Sequence, residues 1–250
     1  MNSSTAVQRH IRARTGDVAP YVLIPGDPGR ADRIAEAFRS AALVARHREY
    51  VLFTGTTPAG SPISVCSTGI GGPSASIAVE ELIRVGATHF IRVGSAGGRR
   101  PGLPIGSVVV VTGAYRGDGT SLDYVPLPYP AVADLDVTLA LRRAAEGVLG
   151  ERALEGIVYT RDAFYRRDDG LNALLSDSNV VAAEQECATV FVVGAVRGVK
   201  VGAVLGTDSN ILLPQQPTQA EKEALFQRVE ATTITIAMHA VDDLHAAQSA

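Results

Sequence analysis

Cys66–Leu82 reads CSTGIGGPSASIAVEEL, an apolar stretch that passes through a glycine cluster into a helix opened by proline. Proline is tolerated in the first helical turn, where its missing N–H would have no intrahelical acceptor. Pro73 therefore marks the helix start and sets Gly69, Gly71 and Gly72 just before it. The free N–H groups of such a turn can cradle an anion or a hydroxyl. From Gly69 the spacing is G-x-G-x-x-S, one residue short of the dinucleotide fingerprint, and the next apolar run ends in IRVGSAGG without the ribose-binding acid expected about 20 residues on. A nicotinamide cofactor is disfavoured. The competing reading is that these glycines only allow helix and strand to pack closely.

Around this stretch the chain alternates Val/Ile/Leu-rich runs with helical spacing, the pattern of buried strands between helices. Tyr21–Pro25 precedes GDPGR and a helix through ADRIAEAFRS. Tyr50–Thr54 and Ile63–Ser67 flank TTPAGSP as a hairpin. Further strands are read at Thr88–Val93, Gly106–Thr112, Ile157–Thr160 and Lys200–Gly206, with a helix from about Ala183 to Gly198. The last helix starts at a Thr218 N-cap after Pro217 and runs almost to the end. PGDPGR, STGIGG, VGSAGG and LGTDSN each follow a strand, and in α/β sheets ligands bind at the carboxyl ends of strands, so these turns point to one cleft.

With 250 residues, 46% hydrophobic and 20% charged, and no linker or repeat, the chain reads as one α/β domain over residues 1–250. A net charge of −3 gives no basic field for nucleic acid, so any anion site is local. Cys66 and Cys187 read as buried thiols in a reducing compartment, which points to the cytoplasm. The first twenty residues lack the apolar core of a secretory signal, and no run reaches the length of a membrane span.

Five charged positions stand out. Arg92 interrupts the apolar run THFIRVGS, where a buried guanidinium needs a partner, and Arg30 heads the helix after GDPG. Two arginines from separate strand ends can close on one phosphate dianion; alternatively each pairs with a carboxylate such as Asp27. Glu184 and Glu186, two apart, do not share a helix face. Either one lies in the preceding loop and reaches the cleft, where it would accept hydrogen bonds from a diol, or the two cap the helix. Asp208, at the end of KVGAVLGT, is either a turn residue or a catalytic acid.

These stretches, from HIRARTGDVAPYVLIPGDPGR through RHREYVLFTGT, CSTGIGGPSASIAVEEL and IRVGSAGG to EQECATVFVVGAVRG and TDSN, resemble the nucleoside phosphorylase family, the branch of hexameric purine nucleoside and uridine phosphorylases. The resemblance implies a three-layer fold with a central mixed, mostly parallel sheet flanked by helices. It implies reversible phosphorolysis, with inorganic phosphate as co-substrate and no cofactor or metal. By resemblance Gly26, Arg30, Arg92 and Ser95 bind phosphate together with Arg48 from a neighbouring subunit. His10 reaches a neighbour's site, Ile70 and Glu186 contact the sugar beside Glu184 and Gln185, and Phe164 packs on base and ribose. A homo-oligomer follows, a hexamer built as three dimers, with no nucleic-acid or membrane partner.

The motifs divide over the base. The central run and LDYVPLPYPAVADLD resemble uridine phosphorylases, yet the glutamine and arginine that would read uracil after FY are replaced in FYRRDDGL. HIRARTGD and Asp208 resemble the purine enzymes, in which the aspartate protonates the leaving base and a basic residue, here Lys222, assists. The main expectation is an inosine- or adenosine-like purine nucleoside, with uridine as the alternative and a hydrolytic nucleosidase or a nucleoside-binding protein behind both. Gln185, where methionine is usual, and Arg161, where a small residue is usual, mark departures from the family. A carboxylic acid of ordinary pKa about 3.9 donates a proton near neutrality only if burial or substrate raises that value.

Overall fold

The computed structural model describes residues 6–249, so Met1–Thr5 and Ala250, which belong to the expected 1–250 domain, lie outside the described residues. Its strands are β1 (Tyr21–Leu23), β2 (Ser40–His47), β3 (Tyr50–Thr56), β4 (Pro62–Cys66), β5 (His89–Gly98), β6 (Val108–Gly117), β7 (Ala131–Val132), β8 (Leu154–Arg161), β9 (Ala182–Glu184) and β10 (Lys200–Asn210). Its helices are α1 (Pro28–Glu36), α2 (Gly72–Arg84), α3 (Gly119–Tyr124), α4 (Leu135–Leu149), α5 (Asp169–Asp177), α6 (Cys187–Arg197) and α7 (Gln219–Ser249).

All strands join one mixed sheet. Its centre, β4–β1–β5–β10, is parallel, whereas the β2–β3–β4 flank is antiparallel. Beyond β5 the sheet closes on itself. β5 pairs with both β10 and β9, β10 continues to β6, β6 to β8, and β8 back to β9. β10 shifts register between Thr207 and Ser209, and β6 pairs with β8 across a shift between Val111 and Gly113. An extra residue in one strand bends it and sharpens its twist, which lets the sheet turn back.

Three layers follow from two buried faces. Along β1, Val22 packs into one cluster with Ala75, Val79 and Leu82 of α2 and Val190 and Val193 of α6. Tyr21 and Leu23 pack into the other with Ile34 of α1, Leu141 of α4 and Ile236 of α7. Alternate side chains of a strand point to opposite faces, so a strand covered by helices on both sides reads as a continuous apolar run. The hairpin β3–β4 and the strands β5, β6, β8 and β10 lie where the sequence places them.

Local chemistry sets the helix starts. Asp27 caps α1, accepting from the N–H groups of Gly29 and Arg30, with Pro28 in the first turn. Thr218 and Glu221 form a reciprocal capping box at the head of α7: Thr218 N–H donates to Glu221 Oε2 at 2.8 Å, and Glu221 N–H to Thr218 Oγ1 at 3.3 Å. Among the described residues no helix is long and apolar enough to cross a membrane, and Cys66 and Cys187 are both free and buried.

The boundaries at α6 and β10 differ from expectation. Residues 182–184 are strand β9 rather than the first turn of α6, because they fill the ladder between β5 and β8. β10 runs on through Asp208 to Asn210, so TDSN is strand rather than turn.

Candidate active site

The carboxyl ends of β1, β5, β8 and β10, the glycine turn before α2 and the β9–α6 junction surround a cavity of about 630 Å³. That volume suits a small organic ligand. The turn is built by Gly69 at φ +71° and Gly71 at φ +89°, a left-handed backbone that a side chain strains. Gly69 N–H donates to the Gly26 carbonyl at 3.0 Å, and a Cβ on Gly26 would meet Gly69 O at 3.2 Å. The GDPG and GIGG turns are thus clasped against each other, which needs glycine on both sides.

Both predicted arginines line the cavity, and both are held by carboxylates. Arg30 Nε donates to Glu230 Oε2 at 2.8 Å and Nη1 to the Val93 carbonyl at 3.2 Å. The partner is Glu230 of α7 rather than Asp27, whose side chain is occupied at the α1 cap. Glu230 also takes Arg33. Arg92 Nε donates to Glu184 Oε2 at 3.1 Å, and Nη2 pairs with Glu186 Oε2 at 2.5 Å. Burial works against the Arg92 charge, but the two glutamates more than restore it and hold its pKa above the ordinary arginine value. Arg30, Arg33 and Arg92 are thus matched by Glu230, Glu184 and Glu186, so each of these guanidinium groups has a carboxylate partner.

The two glutamates of EQE divide their work. Glu184 Oε2 accepts the N–H groups of Glu186 at 2.7 Å and Cys187 at 2.9 Å, while Oε1 accepts Thr160 Oγ1 at 2.5 Å. It therefore caps α6 and anchors Arg92, with both oxygens engaged, while still lining the cavity. Glu186, just outside the helix, faces the glycine turn and accepts Gly71 N–H at 2.6 Å. Burial and the neighbouring Glu184 push its carboxyl up, against the pull of Arg92. The N–H that the glycine turn was expected to offer a ligand is thus engaged by a side chain of the site.

Gly26, Ser95, Ile70, Phe164 and Gln185 also line the cavity. Gln185 Nε2 donates to the Asp162 carbonyl at 3.0 Å and so ties the loop carrying Phe164 to the site. Asp208 enters by a backbone device invisible in sequence: it is the extra residue of the β10 bulge, between Thr207, which pairs with Ala96, and Ser209, which pairs with Gly97. Its carboxylate lines the cavity and accepts Ser209 Oγ at 2.7 Å.

Three expected residues lie elsewhere. Lys222 sits in the first turn of α7 and does not line the cavity, which removes geometric support for it as a partner of Asp208. Arg48, at φ +55° in the β2–β3 turn, is exposed and does not line the cavity of its own chain. His10 is held outside it by Glu81 of α2, whose carboxylate accepts the His10 N–H at 2.9 Å, the Ile11 N–H at 2.9 Å and meets His10 Nδ1 at 2.6 Å. These bonds outweigh burial and hold the Glu81 carboxyl below its ordinary value. Glu49, Arg99 and Arg167 line the cavity without having been singled out. Glu49 accepts Ser74 Oγ at 2.9 Å beside Gly69; its place next to Arg48 in RHREY was the available signal.

Comparison with known proteins agrees with this geometry. The phosphorylase superfamily profile matches residues 20–242. A uridine phosphorylase of Treponema pallidum is 46% identical over 81% of this chain and 82% of its own. A uridine phosphorylase of Thermococcus kodakarensis is 44% identical over 91% and 86%. A guanosine phosphorylase of Halorubrum lacusprofundi is 39% identical over 96% and 100%. The crystal structure of uridine phosphorylase from Vibrio fischeri ES114 superposes with a TM-score of 0.85 at 34% identity, covering 96% of this chain and 99% of that one. With the clasped glycine turns, the paired arginines and a match across nearly its whole length, the chain belongs to the phosphorylase superfamily, among its nucleoside phosphorylases.

Proposed function

We propose that this chain catalyses the reversible phosphorolysis of uridine to uracil and ribose 1-phosphate. The observation that carries the reaction class is the convergence of Arg30, Arg92, Ser95 and Glu186 on one cavity floored by the Gly69–Gly72 turn. The choice of base rests on the relatives, which are mainly uridine phosphorylases. The expected inosine- or adenosine-like substrate gives way to uridine for that reason.

In this reading phosphate sits against Gly26, Arg30, Arg92 and Ser95 and attacks the anomeric carbon. The sugar passes through an oxocarbenium-like state that the anion on one face stabilises. Glu186 and Ile70 hold the ribose, and Phe164 covers base and sugar. Because the arginines near the phosphate subsite are already balanced by three glutamates, a dianion there calls for a further cation. Arg48 of a neighbouring copy supplies it, and His10 of that copy reaches the 5′-hydroxyl. The enzyme is then a homo-oligomer, a hexamer of three dimers, working in the cytoplasm without a cofactor.

A guanosine reading has one observation of its own: Asp208 lines the cavity, and in that reading its carboxylate would hydrogen-bond the purine ring. The test is release of free base from uridine, guanosine, inosine and adenosine, each with and without phosphate. We expect phosphate-dependent release, greatest with uridine. Release at equal rates without phosphate refutes phosphorolysis, and guanosine outpacing uridine moves the assignment to the second reading.

A further inference from the structure

Arg99 is 7% exposed, and among the described residues no carboxylate lies within ion-pairing distance of it. Its Nη1 donates to the neutral Asn172 Oδ1, and its guanidinium lies 5.9 Å from the Tyr159 ring centroid. A buried cation is ordinarily neutralised by a partner, because desolvating it alone is costly. Here the nearest charges have the same sign. Arg161, at the end of β8, stands 5.3 Å over the Phe164 ring, and Arg167 follows on the next loop; all three arginines line the cavity. Burial and the charges of Arg161 and Arg167 pull the Arg99 pKa down.

Asp162 and Asp168 border the adjoining recess with Arg99 and Arg161, but neither forms an ion pair with them among the described residues. Asp162 Oδ2 accepts Gly119 N–H at 2.8 Å, and Asp168 caps α5 while pairing with Arg166 at 2.8 Å. Asp208 enters from the opposite flank of β5, on β10, whereas Arg99 is fixed on the β9 side by its N–H to the Val181 carbonyl at 2.9 Å. The cavity therefore has one end where Arg30 and Arg92 are paired to glutamates, and another, beside Phe164, where Arg99, Arg161 and Arg167 have no ion-pair partner among the described residues.

We propose that Arg99, Arg161 and Arg167 form a cationic end wall that takes up the negative charge of the departing base, selecting nucleosides whose base leaves as an anion over those whose base must be protonated. This rests on the phosphorolysis proposed above. As a phosphate oxygen bonds to C1′, the C1′–N bond breaks and its electron pair goes to the base nitrogen. In a base with carbonyls conjugated to that nitrogen, such as uracil or xanthine, the charge spreads to the carbonyl oxygens, where guanidinium N–H groups can receive it. The anion then takes a proton from water. Cytosine keeps only one carbonyl and adenine has none, so they hold that charge less well, and the positive wall opposes their protonation.

The test compares kcat/KM for uridine, xanthosine, cytidine and adenosine in the wild type and in Arg161→Gln, Arg167→Gln and Arg99→Gln. The exposed Arg167 guards against a buried variant that fails to fold. Hydrogen bonds to charged groups of this kind correspond to roughly 10- to 100-fold each. We expect losses of that size for uridine and xanthosine, mostly in kcat, with adenosine and cytidine changing less than about threefold. Equal losses on all four substrates, or a wild type that turns over adenosine as readily as uridine, overturn the end wall. Calorimetric titration of the proteins with uracil, xanthine, cytosine and adenine separates the two proposals. If no nucleoside is phosphorolysed, the reaction assignment falls, while tighter binding of uracil and xanthine that is lost in Arg161→Gln still supports the wall. No such preference refutes it.

Discussion

Replacing Glu230 by glutamine tests how the phosphate end is built. Glu230 is 7% exposed and Arg30 6%, and their 2.8 Å contact is reinforced by Arg33 on the same carboxylate. Glutamine keeps the shape but leaves the Arg30 guanidinium buried against a neutral amide. Breaking a buried pair costs about 3–5 kcal/mol, of which the amide oxygen recovers about 1 as a hydrogen bond. Arg33 is half exposed and adds little. The net loss is then about 2–4 kcal/mol, a fall in Tm of roughly 4–16 °C at this chain length. Phosphate returns the missing counter-charge to Arg30, so the variant gains more in Tm from saturating phosphate than the wild type does.

The same carboxylate predicts the acid dependence. Burial alone would raise the Glu230 pKa, but hydrogen bonds and charge from Arg33 and Arg30 hold it below its ordinary 4.5. A depressed folded value means the contribution is complete above about 4.5 and is lost as pH falls through the lower folded value. Wild type and Glu230→Gln should therefore converge in stability in acid and differ fully near neutrality. The measurements are thermal melts across pH, with and without phosphate. A loss under about 1 kcal/mol near neutrality, or identical phosphate-induced shifts in both proteins, refutes the claim that Glu230 neutralises Arg30 in competition with the substrate anion.

Gly69→Ala forces a side chain into a left-handed turn, where its Cβ would lie 2.7 Å from Ser74 Oγ and 2.8 Å from Glu49 Cγ. We expect a stability loss of at least about 1–2 kcal/mol with raised KM values, and a variant with unchanged KM and melting would show that the turn does not floor the site. Asp208→Asn should lower phosphorolysis of purine nucleosides by roughly 100-fold, the scale of a lost general acid, and that of uridine far less; equal losses in steady-state rates on both would argue for a structural role. If Arg48 completes a neighbour's site, mixing inactive Arg48→Ala with inactive Arg92→Ala protein under subunit exchange restores part of the activity, because hybrid interfaces contain one intact site. No recovery despite confirmed hybrids places Arg48 outside the site.

How far the sequence could be read depended on whether one face or two carried the signal. β1, β5 and β10 are buried on both faces and stand out as apolar runs, but β2 is mostly exposed and was not legible. α4 went unread although Asp134 caps it, Gly150 closes it in the left-handed region, and Val137, Ala140, Leu141, Ala144 and Ala145 recur at helical spacing, so its signal was present in the sequence. Arg30 and Arg92 were visible as charges in apolar surroundings. Their partners were not, since Glu230 lies 200 residues from Arg30 and Glu184 lies 92 from Arg92.

Local residue chemistry by itself determined the βα alternation, the glycine-proline helix start, the α7 cap and the strand ends where a ligand would bind, because each depends on neighbours within a few positions. The tertiary structure alone decided that Glu184 caps α6 while Glu186 faces the cavity, that Asp208 sits in a bulge at the cavity, that Lys222 stays out, and that Arg99, Arg161 and Arg167 line one cavity with no ion-pair partner among the described residues. Those outcomes depend on how the sheet closes through β5, β9 and β10, and pairing between strands about a hundred residues apart leaves no mark on the local pattern of either.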